Sequence, residues 1–133
     1  MATKPSDLEM QVLSVLWEYG PLTVRDILNR LPDGKDRAYT TVLTIMQGMT
    51  RKELVTRTKE GTAHVFHPAV SRDEVLQLVM SRLLRNVFGG NPTRVVQALF
   101  NSTDVTSDDL AEIRKLIDDA AQRDAGQRKV QDQ

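Results

Sequence analysis

The stretch from Asp36 to Pro68, DRAYTTVLTIMQGMTRKELVTRTKEGTAHVFHP, constrains the fold more than any other part of the chain. Ala38, Val42, Ile45 and Met49 recur at helical spacing and form one apolar stripe that can face a core. At about 100° per residue, Arg37, Thr40, Thr44, Gln47 and Arg51 gather on the opposite face, with Tyr39 and Thr41 on its flanks. Two alternating runs follow at once, Leu54 to Thr58 and Ala63 to His67, around Lys59-Glu60-Gly61. They read as a β-hairpin with a basic, glycine-turned tip. A helix running directly into a basic hairpin is the outline of a winged helix-turn-helix, a module that reads DNA. A helix kept polar only for solubility would carry mostly Glu and Lys, whereas threonine, glutamine and arginine suit base edges and phosphates. A threonine-rich amphipathic helix with no DNA role also fits this segment alone.

Punctuation divides the rest. Ser6 with Glu9 is a capping box that opens a helix from about Asp7 to Tyr19, apolar at Leu8, Val12, Leu13, Val15, Leu16 and Tyr19 and stopped by Gly20-Pro21. Thr23 with Asp26 starts a short second helix carrying Val24, Ile27, Leu28 and Leu31, ended by Pro32-Asp33-Gly34. This is the first member of the helix-turn-helix pair. Asp36 is placed to cap the third helix, which fades near Lys52. After Pro68 the pattern is helical throughout. Ser71 and Glu74 open a long helix with Val75, Leu76, Leu78, Val79, Leu83, Leu84, Val87 and Phe88, and Gly89-Gly90-Asn91-Pro92 breaks it. A short fifth helix is expected over Thr93 to Phe100, and a sixth, capped by Thr106 or Ser107, carries Leu110, Ile113, Leu116 and Ile117. From Asp124 the apolar content is too low to pack, which predicts a disordered tail over 124–133.

The formal net charge is zero, but its distribution is uneven. From Lys35 to Lys59 six basic residues face two acidic ones, and from Asn101 onward eight acids face five bases. A basic face at one end and an acidic remainder is the asymmetry expected when a single module touches phosphate. The chain contains no cysteine, which excludes disulfide scaffolds, thiolate metal sites and cysteine nucleophiles and fits a reducing compartment. Met1 to Asp7 is polar and no apolar run approaches the ~18 residues that span a bilayer, so the expectation is a soluble, cytoplasmic protein.

Other constellations carry little. His64 and His67 stand three apart on one strand and so point to opposite faces, which argues against a shared metal site. Asp108-Asp109 and Asp118-Asp119 lie on a helix surface, where acids serve solubility or the helix dipole. No Ser-His-Asp arrangement, phosphate-cradling glycine loop or metal-ligand spacing occurs, so no catalytic residue, metal or cofactor is expected and the chain is not read as an enzyme. Trp17 reads as a packing residue, and Met46 and Met49 as core filling.

These elements give a mainly α architecture with a small β-wing: a winged-helix DNA-binding domain over residues 1–70 and a three-helix dimerisation domain over 71–123. Wide apolar stripes on the later helices exceed what so few helices can bury, and a two-fold protein matches a two-fold operator. The dimer surface is assigned to Val75, Val79, Leu83, Val87, Leu110, Ile113, Leu116 and Ile117. Folding of these helices back on the winged module as a monomer is the alternative. Phosphate contacts are expected from Lys35, Arg51, Lys52, Arg57 and Lys59, and base contacts from Arg37, Thr40, Thr44 and Gln47. Thr41 and Tyr39 suit phosphate or sugar, and Leu43 a thymine methyl.

Over nearly its whole length the chain resembles the penicillinase-repressor family, which comprises the β-lactamase and methicillin-resistance repressors and copper-responsive relatives. The resemblance is carried by Leu8-Glu9 and Val12-Leu13 through Leu16-Trp17, by Thr23-Val24-Arg25-Asp26-Ile27, and by Ala38-Tyr39-Thr40-Thr41-Val42 with Lys52-Glu53-Leu54-Val55. It implies a homodimeric transcriptional repressor on a palindromic operator, of the kind that controls β-lactamase or related stress genes and antibiotic resistance. In the better-known members a membrane sensor-protease system leads to cleavage at an Asn-Phe step before the last helix; the aligned step here is Ala98-Leu99. The cysteine cluster of the copper-responsive branch is missing. A winged-helix adaptor that binds protein and not DNA is the reading from a different class.

Overall fold

Side-chain caps written into the sequence fix where most of the helices begin. The computed structural model describes residues 4–131, with side chains as far as Arg128. In chain order the elements are α1 (Asp7–Tyr19), α2 (Val24–Arg30), α3 (Tyr39–Arg51), β1 (Val55–Glu60), β2 (Ala63–Pro68), α4 (Arg72–Asn86), α5 (Pro92–Ser102) and α6 (Ser107–Gln131). Ser6 and Glu9 form the reciprocal box of α1, the Glu9 amide donating to Ser6 Oγ at 3.2 Å and the Ser6 amide to Glu9 Oε1 at 2.8 Å. Thr23 caps α2 through the Asp26 amide, Ser71 caps α4 through the Glu74 amide, and Asn91 caps α5 with Pro92 in its first turn. Thr106 and Asp109 exchange the equivalent pair of bonds at α6.

α3 departs from its expected start. Asp36 does not cap it; Ala38 occupies the N-cap position in extended conformation and offers no side-chain hydrogen bond. Ala38 is therefore outside the helix and exposed, and the buried stripe is Val42, Met46 and Met49, with Ile45 at its shoulder. These three join Val12, Leu13 and Leu16 of α1, Val24, Ile27 and Leu31 of the α2 segment, and Leu54, Val55 and Phe66 of the hairpin in one core. Burying each such side chain contributes roughly 1.5–3 kcal/mol.

The hairpin is longer than its alternation implied. β1 and β2 pair antiparallel from Val55↔Pro68 to Glu60↔Ala63, so Lys59 and Glu60 belong to the strand and Gly61-Thr62 make the tip. Gly61 carries φ +62, the conformation a two-residue turn asks of a glycine at its first central position. The wing is also stitched to the α1–α2 connection: the Phe66 amide donates to Leu22 O at 2.9 Å and the Leu22 amide to Phe66 O at 3.2 Å.

The chain divides into two compact units, one ending at Val87 and the other beginning at Phe88. The expected boundary at residue 70 is thus displaced by one helix, because α4 packs on the winged core. Val75 is only 8% exposed, Val79 is half-buried against the same cluster, and Trp17 Nε1 donates to Val70 O at 3.0 Å. Arg72 stacks over the Trp17 ring at 5.5 Å, adding a cation–π contact at the start of α4. Val75 and Val79 are therefore core residues of the first unit and not free dimer surface. In the second unit α5 and α6 flank a small groove lined by Leu99, Phe100, Ile113 and Leu116, and none of the described residues from Phe88 on is fully buried. The tail expected to be disordered from Asp124 continues α6 as far as Gln131, and Asp124 pairs with Arg128 one turn on; Asp132 and Gln133 lie outside the described residues.

Candidate nucleic-acid interface

With Val42, Met46 and Met49 turned inward, α3 presents Tyr39, Thr40, Thr41, Thr44, Gln47 and Arg51 to solvent. The helix period makes this outcome unavoidable once the buried stripe is set. Arg57 and Lys59 stand exposed on β1, next along the chain. These exposed residues supply hydroxyls, an amide and three cations, the cations suited to phosphates and the helix face to base edges.

Two of the expected contacts are used otherwise. Arg37 precedes α3 and forms a two-pronged ion pair with Asp33, its Nη1 and Nη2 donating at 2.9 and 2.6 Å. The guanidinium, helped by the Lys35 amide, holds the Asp33 carboxyl well below the usual carboxylate range. Arg37 is thus spent on closing the α2–α3 turn instead of extending from the reading helix, because α3 begins two residues after it. Lys52 reaches back to α1, where Nζ donates to Glu9 Oε1 and Oε2 at 3.1 and 3.0 Å. Glu9 is only 6% exposed, so its charge needs this partner. Lys52, though partly exposed, is tied to Glu9 and is not a free phosphate contact. Capping alone announced Glu9 in the sequence; its second role depends on residue 52 arriving beside it.

Residues that sequence periodicity missed lie on the flank of this surface. Arg25 of α2 stacks over the Tyr39 ring at 5.4 Å, and both border a cleft that also includes Thr62 and His64 of the wing. Arg25 carries no periodic signature of its own, since it sits on the exposed side of a seven-residue helix. His64 is exposed, whereas His67 is half-buried at the strand end with its Nε2 2.9 Å from Thr58 Oγ1. The two imidazoles do not converge.

Residues 5–119 match the penicillinase repressor family. The chain belongs to that family. Among curated relatives, the transcriptional regulator BlaI of Mycobacterium tuberculosis is 38% identical over 79 residues, 59% of this chain and 57% of the relative. The chain thus spans little more than half the length of that relative. The penicillinase repressor of Staphylococcus aureus is 18% identical over 126 residues, 92% of this chain and all of the relative. Among solved structures, the monomeric form of Bacillus licheniformis BlaI in complex with the blaP half-operator aligns with a TM-score of 0.48 at 20% identity, covering 56% of this chain and 90% of that one. The solution structure of the DNA-binding domain of the repressor BlaI aligns with a TM-score of 0.47 at 22% identity, covering 56% and 93%. Within this penicillinase-repressor chain, the Ala98-Leu99 step lies inside α5, and the connection to α6 is confined to residues 103–106.

Proposed function

We propose that this chain is a transcriptional repressor that binds a palindromic operator as a homodimer and blocks a promoter by occupying it. The observation that carries the reading is the exposed face of α3, where Thr40, Thr41, Thr44, Gln47 and Arg51 stand clear of the core beside the basic strand of the wing. Membership of the penicillinase-repressor family supports it. In this reading Thr40, Thr44 and Gln47 meet base edges, Arg51, Arg57 and Lys59 meet phosphates, and Tyr39 and Thr41 fix the start of the helix against the sugar-phosphate strand. The protein works in the cytoplasm, where among the described residues no helix is long and apolar enough to cross a membrane. Its targets are β-lactamase or related stress genes.

Dimerisation falls to the second unit and the exposed end of the first. Two helices without a fully buried side chain cannot hold themselves together, and Leu110, Leu116, Ile117, Leu83 and Val87 all remain exposed in the single chain. Release follows proteolysis under a membrane sensor-protease. The cut falls at residues 103–106, since a helical step such as Ala98-Leu99 resists a protease. Following the intact mass of the protein in cells treated with a cell-wall antibiotic tests this arm, and derepression with the chain uncut refutes it.

Selection from a random duplex pool tests the repressor reading itself. The retained sequences should converge on a palindrome with half-sites one helical turn or a multiple apart, with steep salt dependence. Failure to retain any duplex at low salt would leave the fold as a protein-binding adaptor.

A further inference from the structure

A cleft of about 330 Å³ opens between the start of α2, the start of α3 and the tip of the wing. Arg25, Tyr39, Thr62 and His64 form its polar wall, and Leu43 and Phe66 lie among its apolar residues. No carboxylate lines it, and Arg25 takes part in none of the ion pairs among the described residues. What holds the guanidinium in place is the face of Tyr39 at 5.4 Å, which orients the planar fork while leaving its N–H donors free. The same polar lining offers the Thr62 hydroxyl and the His64 imidazole, both on exposed residues of the wing. A cation, a hydroxyl and an imidazole around a site with no competing acid favour an anion. The half-buried Leu43 beside them suits the apolar face of a sugar ring, while Phe66 forms the floor of the cleft from the core.

We propose that this cleft is a backbone clamp that takes one phosphodiester of the operator, gripped by Arg25 from α2 and by Thr62 and His64 from the wing. The proposal rests on the DNA-binding reading above and extends the contact surface to an element outside it. Its consequence is mechanical. A strand held between α2 and the wing runs past the first turn of α3, so the clamp sets the depth and register at which Thr40, Thr44 and Gln47 reach the bases. Arg25 is in this sense a positioning residue, which contributes to affinity without reading sequence.

The test uses the full chain and duplexes that carry a single uncharged methylphosphonate, moved along each half-site. Arg25→Ala should weaken operator and random duplex alike, by about tenfold at 0.1 M salt, and lower the salt slope by about one. Arg25→Lys keeps the charge and should recover the slope, which a merely structural role would not predict. One methylphosphonate position per half-site should cost the wild-type protein about tenfold and the Arg25→Ala protein nothing. His64→Ala should blunt sensitivity at that same position. Because Arg25 and His64 are exposed, both variants should keep the wild-type thermal midpoint, so loss of folding is readily told apart. An unchanged salt slope in Arg25→Ala, or a methylphosphonate scan identical in wild type and variant, overturns the clamp. If the wild-type protein retains no duplex at all, it is the repressor reading that fails.

Discussion

Thr44 donates its hydroxyl proton to the carbonyl of Thr40 at 2.9 Å, so in the proposed complex it is left to meet a base only as an acceptor. Gln47, one turn on, keeps both donor and acceptor. Changing either to Ala should cost about 1–3 kcal/mol on the operator and little on random duplex, and Thr44→Ser, which keeps the acceptor, should lose far less. Arg57→Ala or Lys59→Ala should weaken both duplexes and flatten the salt dependence. Fluorescence titration of labelled duplexes measures all of these, and equal losses on both duplexes for Thr44→Ala and Gln47→Ala would mean that α3 does not read bases. Lys52 belongs to stability instead. Lys52→Met should destabilise the fold by about 1–2 kcal/mol, modest for a charge-assisted pair because the lysine side chain is 44% exposed. Burial pushes the Glu9 carboxyl up, but hydrogen bonds from the Ser6 amide, Lys52 and the Ser6 side chain, with the lysine charge, outweigh it and leave the group below its ordinary value of 4.5. A lowered carboxyl stabilises the fold above that value and loses the contribution as pH falls through the folded one. The gap between wild type and Lys52→Met in urea unfolding should therefore shrink below about pH 4.5; a gap constant down to pH 2 would contradict the pairing.

Among the elements, the end of α3 shows how a helix can stop without the expected glycine. The Leu54 amide donates to Met49 O at 2.9 Å and the Glu53 amide to Thr50 O at 3.1 Å, the two bonds of a Schellman turn, with Leu54 and Met49 both buried. Glu53 holds the left-handed position at φ 63. Glu53→Gly should stabilise the protein by about 0.5–1 kcal/mol, the relief of a left-handed side chain partly offset by the greater freedom of glycine when unfolded. Chemical denaturation decides it, and a loss of stability would show that the Glu53 side chain contributes more than its backbone strain costs. The helix starts marked by Ser6, Thr23, Ser71 and Thr106 were legible because a cap needs only residues a few positions apart, whereas the Asn91 cap was read only as part of a chain break. The start of α3 was not: Asp33 and Arg37 pair across the turn before it, and that pairing lies outside any cap pattern. The bridge from Leu22 to Phe66 was equally hidden, since it joins backbone groups that no side-chain pattern marks.

At the scale of the molecule, the position of α4 decides how the chain can be divided. Ending the chain at Pro68 removes Val75, Val79 and the Trp17 hydrogen bond to Val70, and should leave a destabilised winged core. Ending it at Val87 keeps that core, and this shorter protein should fold, sediment as a monomer at micromolar concentration and bind operator far more weakly than the full chain, because two linked half-sites act through effective concentration. A full-length chain that sediments as a monomer under the same conditions would remove the role proposed for Leu83, Val87, Leu110, Ile113, Leu116 and Ile117.

Local order along the chain determined the helix-then-hairpin succession, the cap positions and the polar character of the α3 face, because these depend on periods of two and 3.6 residues and on hydrogen bonds spanning three. Family membership was legible for the same reason, in short runs such as Ala38-Tyr39-Thr40-Thr41-Val42. Tertiary structure alone decided which cations are free. Arg37 and Lys52 look like neighbours of the reading face in sequence, yet each is held by a carboxylate, one four residues away and one 43 residues away. It also decided that Val75 and Val79 belong to the winged core and that Arg25 borders a cleft lined by wing residues as well. An apolar stripe states that a face must be covered; only packing chooses what covers it.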